Sequence, residues 1–174
     1  MFKELNNLAY FFEYPNREFN IREIARLQKR SPATISKELK EYAKQEIIQL
    51  KKERNLLLCK ANLDNSMFKE LKKFYTLKKI RDSGIIEAIN IFYLKPSIIL
   101  FGSAAKGLDV EESDIDLAII SENNKEFPNT VLYEKKVNRK IHIFPLKKIQ
   151  DLKNKYLVNN VMNGVIIQGE VQWT

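Results

Sequence analysis

Pro96–Ile120 reads PSIILFGSAAKGLDVEESDIDLAII. An apolar run opened by Pro96 and closed by Gly102-Ser103 has the marks of a buried strand. The small-residue stretch AAKGLDVEES follows as a short helix or loop, and DIDLAII reads as a second strand. Side chains alternate between faces along a strand, so Asp114 and Asp116 point one way and Ile115, Leu117 and Ile119 the other. Two carboxylates so placed repel each other unless a positive charge lies between them. A hard divalent cation such as Mg²⁺ takes oxygen ligands, and it commonly combines one or two carboxylates with the phosphates of a substrate. The pair therefore predicts a phosphate-bearing ligand. Gly102 lets the backbone approach such a ligand closely. Ser103 and neighbouring N–H groups offer donors to phosphate, and Lys106 offers a neutralising charge.

Downstream, the sequence predicts a loop at Pro128, a strand near TVLYEKKV and a strand at KIHIF. A single last helix, LKKIQDLKNKYLVNNVMN, then leads to the short strand GVIIQGE (Gly164–Glu170). Strands mixed with helices give an α/β domain with a small mixed sheet.

Upstream, the pattern changes. Leu5, Leu8, Ala9 and Phe12 recur at helical spacing. Asn20 is placed to cap IREIARLQ, with Glu23 completing a capping-box pattern. Ser31-Pro32 opens the helix PATISKELKEYAKQ. Two short helices joined by a tight polar turn form a helix-turn-helix. The second helix presents Thr34, Ser36, Lys37, Lys40 and Lys44, residue types used on phosphates and base edges. EIIQL, the basic turn KKERN and LLLCKA then read as a hairpin, with Lys51, Lys52 and Arg54 at its tip for a nucleic-acid backbone. Residues 65–95 predict one or two helices, the first capped by Asp64 or Ser66 and the pair broken at Gly84.

Charge divides the chain in the same way. Residues 1–95 hold 20 Lys and Arg against 12 Asp and Glu, while residues 96–174 hold 10 of each. The formal excess of +8 therefore lies wholly in the first part. It suits a polyanionic partner, although charge alone is met equally by solvated helix faces. The 174 residues are 44% hydrophobic and 30% charged, with five Gly and five Pro, which argues against disorder and for a core. No apolar run has the length of a membrane span, and the N-terminus lacks the pattern of a cleaved leader. The lone Cys59 excludes an intrachain disulfide and fits a reducing cytoplasm. A single His and a single Cys argue against zinc.

Two resemblances follow from these motifs. IREIARLQKRSPATISKELKEYAKQEIIQLKKERNLLLCKAN resembles the winged-helix domains of prokaryotic transcription regulators, which implies double-stranded DNA as partner and a homodimer as a soft expectation. Winged helices also serve as protein-docking modules. Phe101-Gly102-Ser103, a ten-residue spacer and Asp114-Ile115-Asp116-Leu117 resemble the signature of the nucleotidyltransferase superfamily related to DNA polymerase beta. GSAAKG matches that family's GS-x-A-[RK]-G form. The segment is most similar to the minimal nucleotidyltransferases of bacteria and archaea. The resemblance implies that Gly102, Ser103 and Lys106 bind the nucleoside triphosphate (NTP), that Asp114 and Asp116 hold Mg²⁺, and that the reaction is nucleotidyl transfer. Active members use a third carboxylate on a later strand. VNRKIHIFPL places His142 there, unless another register brings in Glu134, and His142 also reads as a half-exposed strand residue without a role.

Together these readings predict a two-domain α+β or α/β chain. A winged helix-turn-helix spans 1–64, a helical connector 65–95 and a small mixed-sheet nucleotidyltransferase-like domain 96–174. The function expected is a DNA-binding protein whose second domain binds Mg²⁺-NTP and transfers a nucleotidyl group. The alternative is an antitoxin-like interaction protein with a degenerate site, bound to a toxin-like helical partner.

Overall fold

In the computed structural model, which describes residues 2–171, the two apolar runs around Gly102-Ser103 are adjacent antiparallel strands, β4 (Ser97–Phe101) and β5 (Ile115–Ile120). The chain divides into two compact units, Met1–Tyr75 and Thr76–Thr174.

The first unit comprises α1 (Phe2–Glu13), β1 (Phe19–Asn20), α2 (Ile21–Leu27), α3 (Pro32–Lys44), β2 (Ile48–Glu53), β3 (Leu56–Ala61) and the start of α4 (Ser66–Ser83). Asn20 caps α2 by accepting from the Glu23 N–H at 2.9 Å. Glu23 itself does not close a capping box; its carboxylate pairs with Arg17 at 2.5 Å. Ser31 caps α3 through the Thr34 N–H, with Pro32 in the first turn. Arg30 ties the helices together, reaching Glu38 with both terminal nitrogens at 2.7 and 2.6 Å and Asn7 at 2.9 Å. The β2–β3 hairpin closes at Arg54-Asn55, between the paired Glu53 and Leu56. Its sheet has a third strand, β1, paired with β3. A two-residue strand is too short for any alternation to show in the sequence. Leu5, Leu8, Phe11, Phe12, Phe19, Ile24, Ile35, Leu39, Ile48 and Phe68 form one buried core. The cap of α4 is Asn65, whose side chain accepts from the Phe68 N–H at 2.8 Å, rather than Asp64 or Ser66.

The second unit adds α5 (Ile85–Tyr93), α6 (Val131–Val137), β6 (Ile141–Leu146), α7 (Lys155–Met162) and β7 (Val165–Gln168). Gly84 separates α4 from α5 with φ +84°. The sheet order is β6-β5-β4-β7, with β5 and β6 parallel and the other pairs antiparallel. One face carries Ile98, Leu100, Ile115, Leu117, Ile119 and Ile141, packed with Ile80, Ile85, Ile86 and Ile89 from the helices. The other carries Ile99, Phe101, Ala118, Phe144 and Leu146, packed with Ile149, Leu157 and Val161.

Two elements differ from the sequence expectation. TVLYEKKV is helix α6, not a strand. The Asn129 side chain accepts from the Val131 N–H, the Thr130 carbonyl from the Tyr133 and Glu134 N–H groups, and Asn138 ends the helix at φ 55°. Local side-chain and backbone bonds thus override the β-branched composition. The single long last helix is in fact the end of β6, a 3₁₀ turn at Ile149–Asp151 and the shorter α7. Asn154 starts α7 by accepting from the Tyr156 N–H at 2.9 Å. Among the described residues no helix is long and apolar enough to cross a membrane.

Candidate active site

Strands β4, β5 and β6 bring their chemistry to one end of the sheet. Asp116 lies in β5 opposite Phe101, the residue before the Gly-Ser turn. Asp116 shares the face of Ala118 and Ile120; Asp114 precedes β5 and lies outside the strand, but it meets Asp116 on that side, since both aspartates approach the same nitrogen of His142. The parallel register then sets His142 directly beside Asp116. His142 Nδ1 stands 3.6 Å from Asp116 Oδ1 and 3.7 Å from Asp114 Oδ2, at ion-pair range but beyond a hydrogen bond. The three side chains are open to different degrees: 51% exposed for His142, 37% for Asp114 and 25% for Asp116. Burial pushes the Asp116 carboxyl above the ordinary range; His142 opposes the rise and the Asp114 charge adds to it.

Gly102 shapes the floor of the site. Its φ is +75°, and a Cβ there would lie 2.5 Å from Asp116 Oδ2. The two oxygens of Asp116 therefore face different neighbours: Oδ2 the Gly-Ser turn, Oδ1 the imidazole. Ser103 begins a 3₁₀ turn, Ala104–Lys106, and its hydroxyl makes no capping bond. Lys106 is exposed and donates to Asn160 Oδ1 on α7 at 3.4 Å.

The donor set suits a divalent cation that is partly ligated by its substrate. Both carboxylates supply oxygen, and the room left by a missing Cβ at Gly102 adjoins one of them. Among the described residues no group of three or more His, Cys, Asp or Glu is placed to hold a metal ion. Mg²⁺ bound by one or two carboxylates plus phosphates requires no such group.

Glu134 does not take the third position. It sits on α6, where Oε1 accepts from the Ile141 N–H at 3.1 Å and the Thr130 hydroxyl at 2.9 Å. The backbone N–H of Ile141 is the main reason its carboxyl lies below the usual range; the Thr130 hydroxyl and the charge of Lys140 contribute in the same direction. Glu134 thus fastens the start of β6, the strand that carries His142.

The loop from the turn to β5 has an anchor that sequence reasoning missed. Asp109, fully buried, pairs with Arg139, of which 7% is exposed. Ser113 Oγ accepts from the Val110 N–H, and the Ile115 N–H donates to the Lys140 carbonyl. The Asp109–Arg139 pair joins the approach to β5 with the approach to β6, and so sets the separation of Asp114 and His142. Asp109 carries no distinguishing signal in a stretch with four other acidic residues, Glu111, Glu112, Asp114 and Asp116.

In the first unit, Thr34, Lys37, Lys40 and Lys44 are exposed on α3, and Ser36 is half-buried. Arg54 is at the hairpin tip with φ 51°, but Lys51 and Lys52 lie within β2 rather than at the tip. Lys51 pairs with Glu53 at 3.3 Å and Lys44 with Glu41 at 2.9 Å. A groove of about 570 Å³ runs between the start of α3 and the hairpin tip, lined by Arg22, Pro32, Ala33, Ser36, Asn55 and Leu56, among others. Cys59 is buried in β3, and burial pushes its thiol up to about 11, which makes it a core residue rather than a nucleophile.

No curated protein and no solved structure matches the chain. Residues 88–171 match the model of the family Polymerase beta, Nucleotidyltransferase, which spans the end of α5 through β7 and includes the turn, both aspartates and His142. The match leaves Met1–Tyr75 outside it and supports a nucleotidyltransferase-type domain in the second unit.

Proposed function

We propose that the second unit binds a nucleoside triphosphate as its Mg²⁺ complex and that the first unit is a winged helix that binds double-stranded DNA. The observation that carries the nucleotide reading is the fit of Gly102 against Asp116 Oδ2, with Asp114 on the same face and the family match around them. The N–H groups and hydroxyl of the Gly102-Ser103 turn are suited to donating to phosphate oxygens. Asp114 and Asp116 would hold the cation, which when bound neutralises phosphate charge and activates the transfer. Lys106, one turn away and exposed, is suited to the terminal phosphates.

For DNA, the reading rests on the basic charge of the first part of the chain and on the groove between α3 and the hairpin tip. Ser36 lines that groove and would meet the duplex from α3 with Lys40, and Arg54 from the tip; Thr34 and Lys37, which line a different groove with Asn7 and Tyr42, would flank the contact with Lys44, Lys51 and Lys52. The pairing of Lys44 and Lys51 with acidic neighbours gives them smaller parts.

A second reading is favoured by one observation, the register that puts His142 rather than a carboxylate beside Asp116. An imidazole adds no negative charge for Mg²⁺, and this removes the base expected at an incoming hydroxyl. On this reading the domain binds nucleotide without transferring it to an outside acceptor, as an antitoxin-like interaction protein would.

Isothermal calorimetry tests the nucleotide reading. Mg²⁺-ATP and Mg²⁺-GTP are titrated into the full chain and into the Asp114→Asn, Asp116→Asn double variant. Binding that needs Mg²⁺ and is lost in the double variant is expected; equal binding by both chains refutes the site.

A further inference from the structure

We propose that His142 is itself a nucleophile, and that the second unit transfers a nucleotidyl group from a nucleoside triphosphate onto its imidazole. The inference rests on the nucleotide-binding reading of the same site.

Three observations carry it. First, the parallel β5–β6 register holds His142 beside Asp116, on the face of the sheet that carries both aspartates. Second, Nδ1 is the nitrogen turned toward those aspartates, at 3.6 and 3.7 Å. Third, the ring is half exposed, so an incoming group can reach it. Asp116 can serve both partners, because Oδ1 faces the imidazole while Oδ2 faces the Gly102 turn, where the triphosphate would lie.

The step balances as follows. The lone pair of one imidazole nitrogen attacks the α-phosphorus, and an N–P bond forms as the bond from that phosphorus to the bridging oxygen breaks. Pyrophosphate leaves with the electron pair of that bond. The hydrogen on the other ring nitrogen is released to water, to which the half-exposed ring is open, and the product is a neutral-ring nucleotidyl-histidine. Nothing is oxidised or reduced, and the only co-reactant is the nucleoside triphosphate. Covalent catalysis of this kind needs no base for an incoming hydroxyl, the group the site lacks.

The full chain is incubated with Mg²⁺ and a mixture of the four nucleoside triphosphates, labelled at the α-phosphate in one arm and at the γ-phosphate in another. Expected is label retained on the denatured protein from the α arm alone, lost in mild acid and kept in base, as a phosphoramidate requires. Mass spectrometry of the His142 peptide should carry the same adduct. His142→Gln should abolish the label while retaining Mg²⁺-NTP binding by calorimetry, and exposed Lys147→Ala should label as the wild type does. Binding without α label, label from the γ arm, or label that survives His142→Gln overturns the inference and leaves the nucleotide reading intact. Absence of Mg²⁺-NTP binding in the wild type overturns both.

Discussion

Gly102 and Asp116 are fitted to each other: a Cβ on residue 102 would stand 2.5 Å from the Asp116 carboxylate oxygen. The glycine is required twice over, by this contact and by its φ of +75°. Gly102→Ala should therefore cost about 1–2 kcal/mol of stability. It should also displace Asp116 enough to weaken Mg²⁺-ATP by at least about tenfold, or 1.4 kcal/mol. Thermal unfolding and calorimetry check the two effects separately, and unchanged affinity would detach the turn from the nucleotide site.

Asp116 should show a stability cost at neutral pH. Its carboxyl is raised above the ordinary value chiefly by burial. The stabilising contribution is present below the unfolded carboxylate pKa and is lost as pH rises through the folded one. Metal-free Asp116→Asn is thus expected to melt higher than the wild type at pH 7, with the difference closing by about pH 3. A lower melting temperature for the variant at pH 7 would contradict this.

Glu134 should behave in the opposite way. Its carboxyl is lowered by the Ile141 N–H and the Thr130 hydroxyl. Its contribution is present above the unfolded pKa and is lost as pH falls through the folded one. Glu134→Gln should melt lower than the wild type at pH 7, with the gap fading in acid, and should loosen the start of β6. Hydrogen exchange at Ile141 is the direct measurement.

Arg30 should be a stability centre of the first unit, since it reaches Glu38 with two nitrogens and also Asn7. Charge-assisted, partly buried bonds of this kind support a loss of about 1–3 kcal/mol in Arg30→Ala. A fall in urea midpoint followed by a probe in Met1–Tyr75 would show it, and no change would mean the network is solvated.

DNA affinity should depend steeply on salt. Lys37→Ala with Lys40→Ala removes two exposed cations from α3. If both meet phosphate, the slope of log affinity against log salt should fall by about 2. Fluorescence anisotropy on duplexes of unrelated sequence measures it; an unaltered slope would move the duplex off α3.

By itself, the sequence determined the strand–turn–strand around Gly102-Ser103, the caps at Asn20 and Ser31, the break at Gly84 and the shared face of Asp114 and Asp116. Each depends on residue chemistry at short spacing: a strand period of two, a glycine with positive φ, a side chain bonded to an N–H within three residues. Where local signals competed, the reading failed. β-branched residues in TVLYEKKV suggested a strand, but Asn129, Thr130 and Asn138 made a helix. Only the tertiary structure decided what stands beside Asp116. Strand register is fixed by pairing across 26 residues of chain, from Asp116 to His142, and a slip of one residue would turn the imidazole to the other face. The Asp109–Arg139 pair was invisible for the same reason, since a buried ion pair exists only when distant segments converge and exclude water.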